Sequence, residues 1–372
     1  MVYIIGQKEQ NLVKYKVGMY GGSFNPLHIE HIRCIITAAN QCEQLILALS
    51  VGKNREDEIC EKQRRAWLYH ATSHLEHVKI VVICDEAKTK EDYTEKMWLE
   101  GFKKIKESSS TGNIDVVFLG DDYGDDMQKL YRNSKLVFLS RNEISSTAIR
   151  QNVYQKWDWM PSYVREYFVM KILVVGSEST GKSTLVQNLA NYYNTNFVSE
   201  VGREISGRNG GTEYMLLDDF RDILLQHANE TIKQLKNANK VIFIDTDALT
   251  TLYYLYLCNQ GSNDTYFSKL EALAETIYSV MECDYHRVLF LEPEGVNFIQ
   301  DGTRTESIKT DRKAESEALK MHYISRKSLA FGAKLKMISG GYDDRFDQAV
   351  TVIDDLIADF EWHNFKNSAI IN

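Results

Sequence analysis

The chain has 372 residues, 44% of them hydrophobic and 26% charged, with a net charge of −8. This is more than one ordinary domain needs, so two domains with ample core are expected; the acidic balance, with no Lys/Arg cluster, argues against nucleic acid as a partner. No run approaches the ~18 apolar residues of a membrane span, the start MVYIIGQKEQ turns polar too early for a signal peptide, and the six cysteines show no C-x-x-C or zinc spacing. A cytoplasmic protein with reduced thiols and no membrane insertion is the expectation.

After a polar lead-in, residues 17–20 read as a strand that runs into GGSFNPLHIEHIRCIITAA. Gly21 and Gly22 mark a tight turn, Pro26 fixes the loop, and Ile32, Ile35, Ile36 and Ala39 follow helical spacing from Ile29. His28 and His31, three apart, share a face at the positive end of that helix. Short apolar strands follow at 45–50, 78–84, 114–120 and 135–140, with helical patterns at 62–75 and 93–105. Strands alternating with helices predict a parallel α/β sheet. The half closes on RNEISSTAIRQN, where Ser145 or Ser146 can cap a helix carrying Arg150. The aromatic stretch YQKWDWMPSYVREY reads as a packed connector, which divides the chain into domains at 1–157 and 170–372 with 158–169 between them.

The second half centres on KILVVGSESTGKSTLV, residues 171–186. An apolar strand, then Gly176, four residues, Gly181, Lys182 and Ser183, then a helical run, is the context that a phosphate-binding loop requires. The glycines let successive N–H groups, those of Ser179 and Thr180 among them, turn inward on a polyphosphate, and the helix adds its positive end. Lys182 is placed to reach the β- and γ-phosphates, Ser183 to hold Mg²⁺, and Thr184 continues the motif. The α/β rhythm continues through the stretches 196–204, 241–251, 287–293 and 334–345, with strands read at 197–199 and 241–244. Asp245, at the end of an apolar strand, suits the second shell of that ion; Asp247 suits metal or substrate hydroxyls. Glu200 falls on the edge where parallel sheets bind ligands, fit to orient a ribose or accept a proton. The polar segment 300–315, with Arg304 and Arg312, suits a lid over the phosphates.

In the first half, the turn Gly21-Gly22-Ser23-Phe24 with His28 and His31 can wrap donors around a nucleoside triphosphate, and Ser146, Thr147 and Arg150 can clamp it from the other side. Such a site works by position and charge neutralisation, without a covalent nucleophile. GGSFNPLHIEH together with ISSTAIR resembles the two signatures of the nucleotidylyltransferase superfamily, nicotinamide-nucleotide adenylyltransferases in particular. With GSESTGKST after the W-x-W-x-P-x-x-V-R connector, the chain from Val17 onward is similar to the bifunctional nicotinamide-nucleotide adenylyltransferase–ribosylnicotinamide kinase family. The resemblance implies a Rossmann-like transferase domain followed by a P-loop kinase domain. It implies ATP and Mg²⁺ as cofactors, nicotinamide riboside and NMN as substrates, and NAD as product. Within the family, the DG-x-R string and the later arginine favour the lid, and ISGGYDDRF with Gly340 corresponds to the loop near the adenine. Some members carry an N-terminal helix-turn-helix domain; only about sixteen residues precede the first strand here, so none, and no DNA binding, is expected. The oligomeric state is left open, a homo-oligomer included.

One position departs from the family pattern. Its first motif ends His-x-Gly-His, and here the third place is Glu30. A carboxylate about 5 Å from a phosphate at an effective dielectric of about 20 costs on the order of 3 kcal/mol, unless it turns to Arg33 or Lys53. The expectation is therefore a transferase impaired or altered in nucleotide preference, unless such a pairing spares it. Two rival readings stay open at this level: a coenzyme A-type adenylyltransferase–kinase fusion, and a nucleotide sensor with slow turnover.

Overall fold

The computed structural model describes residues 15–55, 58–89, 92–120, 130–140, 143–259, 265–282, 285–299, 311–326 and 334–362. The chain divides into two units, Met1–Val164 and Arg165–Asn372. Each holds a five-stranded parallel sheet.

In the first unit the strands are β1 (Tyr15–Gly22), β2 (Cys42–Gly52), β3 (Val78–Asp85), β4 (Val116–Leu119) and β5 (Lys135–Phe138), in the order β3-β2-β1-β4-β5. Residues 17–20 of β1 are buried without interruption, as expected of a central strand covered on both faces. The strand order reverses on either side of β1, so a crevice opens beyond its carboxyl end, where Gly21 and Gly22 stand. The helix Ile29–Ala39 follows at once and buries His31, Cys34, Ile35, Ala38 and Ala39. Tyr154, Trp157, Met160 and Val164 of the connector are buried, and the Tyr163 ring stacks on His70 at 4.0 Å.

The second unit has β6 (Met170–Val175), β7 (Phe197–Val198), β8 (Val241–Asp245), β9 (Tyr285–Leu291) and β10 (Leu335–Ile338), in the order β10-β9-β6-β8-β7. β6 is central and its carboxyl end leads into the loop before the helix Lys182–Tyr192. The strand expected at 197–199 is found as Phe197–Val198. Only Phe197 and Val198 pair with β8, and the chain turns at Glu200 into the helix Val201–Asn209, which Gly210 ends with φ +86°. An edge strand with a single neighbour has little ladder to hold it, and the helical alternative wins. The carboxyl ends of β6, β7 and β8 thus deliver the phosphate loop, Glu200 and Asp245 to one edge.

Candidate active sites

At the carboxyl edge of the first sheet, the backbone rather than the side chains shapes the turn. Phe24 takes φ +48°, and its ring is fully buried, edge-on to Tyr20 at 6.0 Å and to His31 at 4.9 Å. Phe24 therefore supports the turn from below, and what it offers a nucleotide is backbone. His28 caps the helix Ile29–Ala39: its Nδ1 accepts the His31 N–H at 3.3 Å, and the two imidazoles stack with centroids 3.6 Å apart. The second signature docks onto the first. Ser146 Oγ donates to the Pro26 carbonyl at 3.0 Å, Arg150 Nη1 to the Asn25 carbonyl at 2.7 Å, and Arg150 Nη2 to Thr147 Oγ1 at 3.4 Å. Ser146, Thr147 and Arg150 are thus brought together on the loop 23–27, with Ser145 rather than Ser146 as the helix cap.

Beside this clamp lies a cavity of about 350 Å³ bordered by Gly21, Gly22, Ser23 and Arg150. His28 and His31 do not border it. Its apolar wall is Met97, Trp98, Phe102 and Tyr131; its polar end is Ser50, Arg55, Asp85 and Tyr93. Arg55 reaches both oxygens of Asp85 at 2.8 and 3.0 Å and Glu58 at 2.8 Å, while Tyr93 donates to Asp85 at 2.5 Å. Burial raises the Tyr93 pKa, and its hydrogen bond to Asp85 raises it further. Behind them Arg64, 1% exposed, pairs with Glu58 at 2.8 Å and donates to the carbonyls of Ser23, Ser50 and Ile59. This buried network, absent from the sequence reading, fixes the turn from the side of β2.

Glu30 is turned toward its own helix. Its carboxylate accepts from Arg33 at 2.8–2.9 Å, does not border the cavity, and is nearly buried. Of the two partners expected for it, Arg33 is the one used; Lys53 lies 3.8 Å from Glu86 instead.

In the second unit the loop conformation requires its glycines. Gly176 has φ +153° and a Cβ there would meet the Leu291 carbonyl oxygen at 2.6 Å; Gly181 has φ +82° and faces the Tyr342 ring. Lys182 is buried and its Nζ donates to the Ser177 carbonyl at 3.0 Å, as does Thr180 Oγ1 at 2.8 Å. Thr184 is exposed. Around the loop, Ser177 Oγ, Ser183 Oγ and both carboxylate oxygens of Asp245 are buried with no hydrogen-bond partner among the described residues. Burial holds the Asp245 pKa well above the usual carboxylate range, with Glu200 adding to the shift; Lys182 and the nearby Ser183 hydroxyl oppose it. The residue after it, Thr246, is held at φ +67°, a conformation that a β-branched side chain rarely takes. Neutral His227, its pKa lowered by burial, bonds the Asp245 carbonyl through Nε2 at 3.1 Å and so braces that strained turn.

Asp247 has structural work besides the role expected of it. Its Oδ1 caps the helix Ala248–Cys258 through Thr250 N–H at 2.9 Å and accepts from Tyr323 at 2.5 Å; burial pushes its pKa up to about 6. Only Oδ2 is left without a partner among the described residues. Arg312 is already at the loop, donating to the carbonyls of Ser179 at 3.0 Å and Val296 at 2.6 Å, and Ser179 Oγ accepts from Ile299 N–H. Arg304 lies outside the described residues. Gly340 has φ +96° and packs on the Gly295 backbone, so the close approach it permits here is of chain to chain. Arg345, 1% exposed, donates to the carbonyls of Thr180, Gly340, Glu292 and Glu294 and ties the loop to the ends of β9 and β10. A pocket of about 70 Å³ beside the loop is bordered by Glu178, Lys182, Glu200, Arg203, His227 and Tyr254 among others. There Glu200 pairs with Arg203 at 3.3 Å.

A cytidylyltransferase-like family model matches residues 19–152, and an AAA domain model matches residues 171–345. The trifunctional NAD biosynthesis/regulator protein NadR of Escherichia coli K12 is 28% identical over 362 residues, 93% of this chain and 84% of that protein. Glycerol-3-phosphate cytidylyltransferase of Bacillus subtilis is 30% identical over 137 residues, 36% of this chain and 92% of that protein. Among solved structures, a NadR protein in complex with NR superposes with a TM-score of 0.73 at 21% identity, covering 94% of this chain and 98% of that one. A NadR protein with NAD and AMP-PNP gives 0.72 at 20% identity, covering 93% and 98%. At these identities the structural likeness establishes the fold of both units.

Proposed function

The chain belongs to the NadR family of NAD biosynthesis proteins, and from that premise we propose how its two sites divide the work. The protein is a bifunctional transferase. Its second unit phosphorylates nicotinamide riboside with ATP, giving NMN, and its first unit transfers the adenylyl group of a second ATP to NMN, giving NAD and pyrophosphate.

In the kinase unit the riboside 5′-hydroxyl attacks the γ-phosphorus of ATP, the bond to the β,γ-bridging oxygen breaks, and ADP leaves. The loop N–H groups and Lys182 carry the charge of the β- and γ-phosphates, which requires Lys182 to leave the Ser177 carbonyl for the nucleotide. Glu200 borders the acceptor pocket and Asp245 does not, so Glu200 is assigned to orient the hydroxyl and take its proton. The riboside carries a pyridinium charge, for which Glu178 is the carboxylate on offer in a pocket where Glu200 pairs with Arg203 and Lys182 serves the phosphates. Ser183 and Asp245 would hold Mg²⁺, which neutralises phosphate charge when bound. The buried, partnerless oxygens of these two residues fit it: Mg²⁺ takes one or two protein oxygens and draws the rest from water and phosphate. Arg304 and Arg312 are assigned to the closing side of the site, Arg312 by giving up its loop carbonyls.

In the transferase unit Gly21, Gly22 and Ser23 receive the triphosphate at the sheet edge, and His28, His31 and Arg150 neutralise it from the helix ends. The NMN phosphate attacks the α-phosphorus in line and pyrophosphate departs; no protein nucleophile takes part. The cavity wall of Trp98 and Phe102 offers the aromatic surface that a pyridinium ring requires. The Glu30–Arg33 pair supports an active transferase, since it gives the carboxylate a cation of its own.

The observation that carries this reading is the meeting of Lys182, Ser183, Asp245 and Glu200 at one sheet edge. Incubation with MgATP and nicotinamide riboside, with products separated by mass, tests it: NMN and NAD are both expected. NMN alone would leave only the kinase standing. Turnover of phosphopantetheine and dephospho-coenzyme A in place of the riboside would replace the reading with the coenzyme A pair.

A further inference from the structure

The helix Ala248–Cys258 carries three tyrosines, and two of them have carboxylate partners. Tyr253 donates to Glu315 at 2.9 Å, and Tyr256 donates to Glu271. Tyr254 differs: its hydroxyl is buried yet has no hydrogen-bond partner among the described residues. The side chain borders the acceptor pocket together with Glu178, Lys182 and Glu200. A buried hydroxyl with nothing to bond is a standing cost to the fold, one that phenylalanine, of the same shape, would not carry. At this wall of the pocket, a partner that arrives with the substrate offsets that cost.

We propose that Tyr254 is a specificity-determining residue of the kinase site, its hydroxyl donating a hydrogen bond to the bound acceptor nucleoside. The proposal rests on the nicotinamide riboside kinase reading above. Burial first, and then the carboxylates of Glu178, Glu315 and Glu200, hold the phenol well above its ordinary pKa, so it keeps its proton and serves as a donor at any working pH. Its place in the pocket, beside the proton-accepting Glu200, fits the recognition of ribose or carboxamide oxygen, and not of the phosphates that Lys182 serves. A site that offers such a donor favours a nucleoside with an acceptor in the right place, because an analogue without one leaves the hydroxyl unpaired.

Tyr254→Phe in the full chain tests this with three readouts. The KM for nicotinamide riboside is expected to rise about five- to tenfold, with the KM for ATP unchanged and the thermal midpoint of the free protein equal or higher, since an unpaired hydroxyl is removed. An unchanged riboside KM in an active Y254F enzyme overturns the assignment. So does a lowered midpoint with both KM values moved, which would reveal a structural hydroxyl. Wild-type protein that fails to phosphorylate nicotinamide riboside overturns the reading of the function itself, and this proposal with it.

Discussion

Glu30 shows how far a single residue can be judged from sequence. A carboxylate in the place of a motif glycine was expected to oppose phosphate unless Arg33 or Lys53 took it up, and the Arg33 guanidinium does so at 2.8 Å. Glu30→Gly should therefore alter the transferase kcat/KM less than threefold, and cost about 1 kcal/mol of stability as a glycine within a helix. Arg33→Ala, by contrast, frees the carboxylate and should raise the KM for ATP in that reaction several-fold; steady-state kinetics of the two variants side by side distinguish pairing from tolerance. Other residues could not be read in this way. Arg345 sits in a polar string and looks like a surface cation, yet it lies buried on the carbonyl of Thr180, 165 positions earlier. Arg64 likewise bonds Ser23 across 41 positions. Spacing along the chain identifies partners one helical turn away, and no periodicity announces a side chain that spans a fold. Phe24 and Asp247 carry structural work that motif membership did not announce: the Phe24 ring is buried under the turn and Asp247 Oδ1 caps a helix.

At the scale of elements, the loop–helix junctions are held by buried arginines that bond carbonyl oxygens, which leaves the N–H groups free for phosphate. Arg345→Lys cannot span four carbonyls. We expect it to destabilise the second unit by about 3 kcal/mol or more and to lower kinase activity while the transferase persists, as measured by calorimetry and separate assays. The helix Arg312–Ser325 carries a pH-sensitive element of its own. Burial, with Arg326 nearby, pushes the His322 pKa down to about 4 from its ordinary 6.5. The unfolded chain takes up a proton over that interval and the folded chain does not. Stability is therefore full above pH ~6.5 and falls as the pH drops toward ~4. His322→Gln should flatten that part of the thermal-midpoint profile; an unchanged slope between pH 6.5 and 4 would assign it to other groups. The strand alternation, the loop KILVVGSESTGKSTLV and the switch from strand to helix at Lys182 were all legible, because periodicity and glycine placement are local properties. The short β7 was legible as well, within one residue of its end; the helix that starts at Val201 directly after it was not, since Gly202 and Ser206 give that stretch little helical signal.

At the scale of the whole molecule, two parallel sheets each bring their chemistry to the carboxyl edge, and each site has its own loop, clamp and cavity. The two activities should then separate by mutation. Arg150→Ala removes the clamp on the loop 23–27 and should lower the transferase rate by about a hundredfold without changing riboside phosphorylation. The most direct test of the account is a Lys182→Met protein assayed with MgATP, first on nicotinamide riboside and then on supplied NMN, with products weighed by mass spectrometry. The account predicts NMN formation reduced by about a hundredfold or more, and NAD formation from supplied NMN at the wild-type rate. Undiminished NMN formation, or loss of both products from a folded protein, would contradict it.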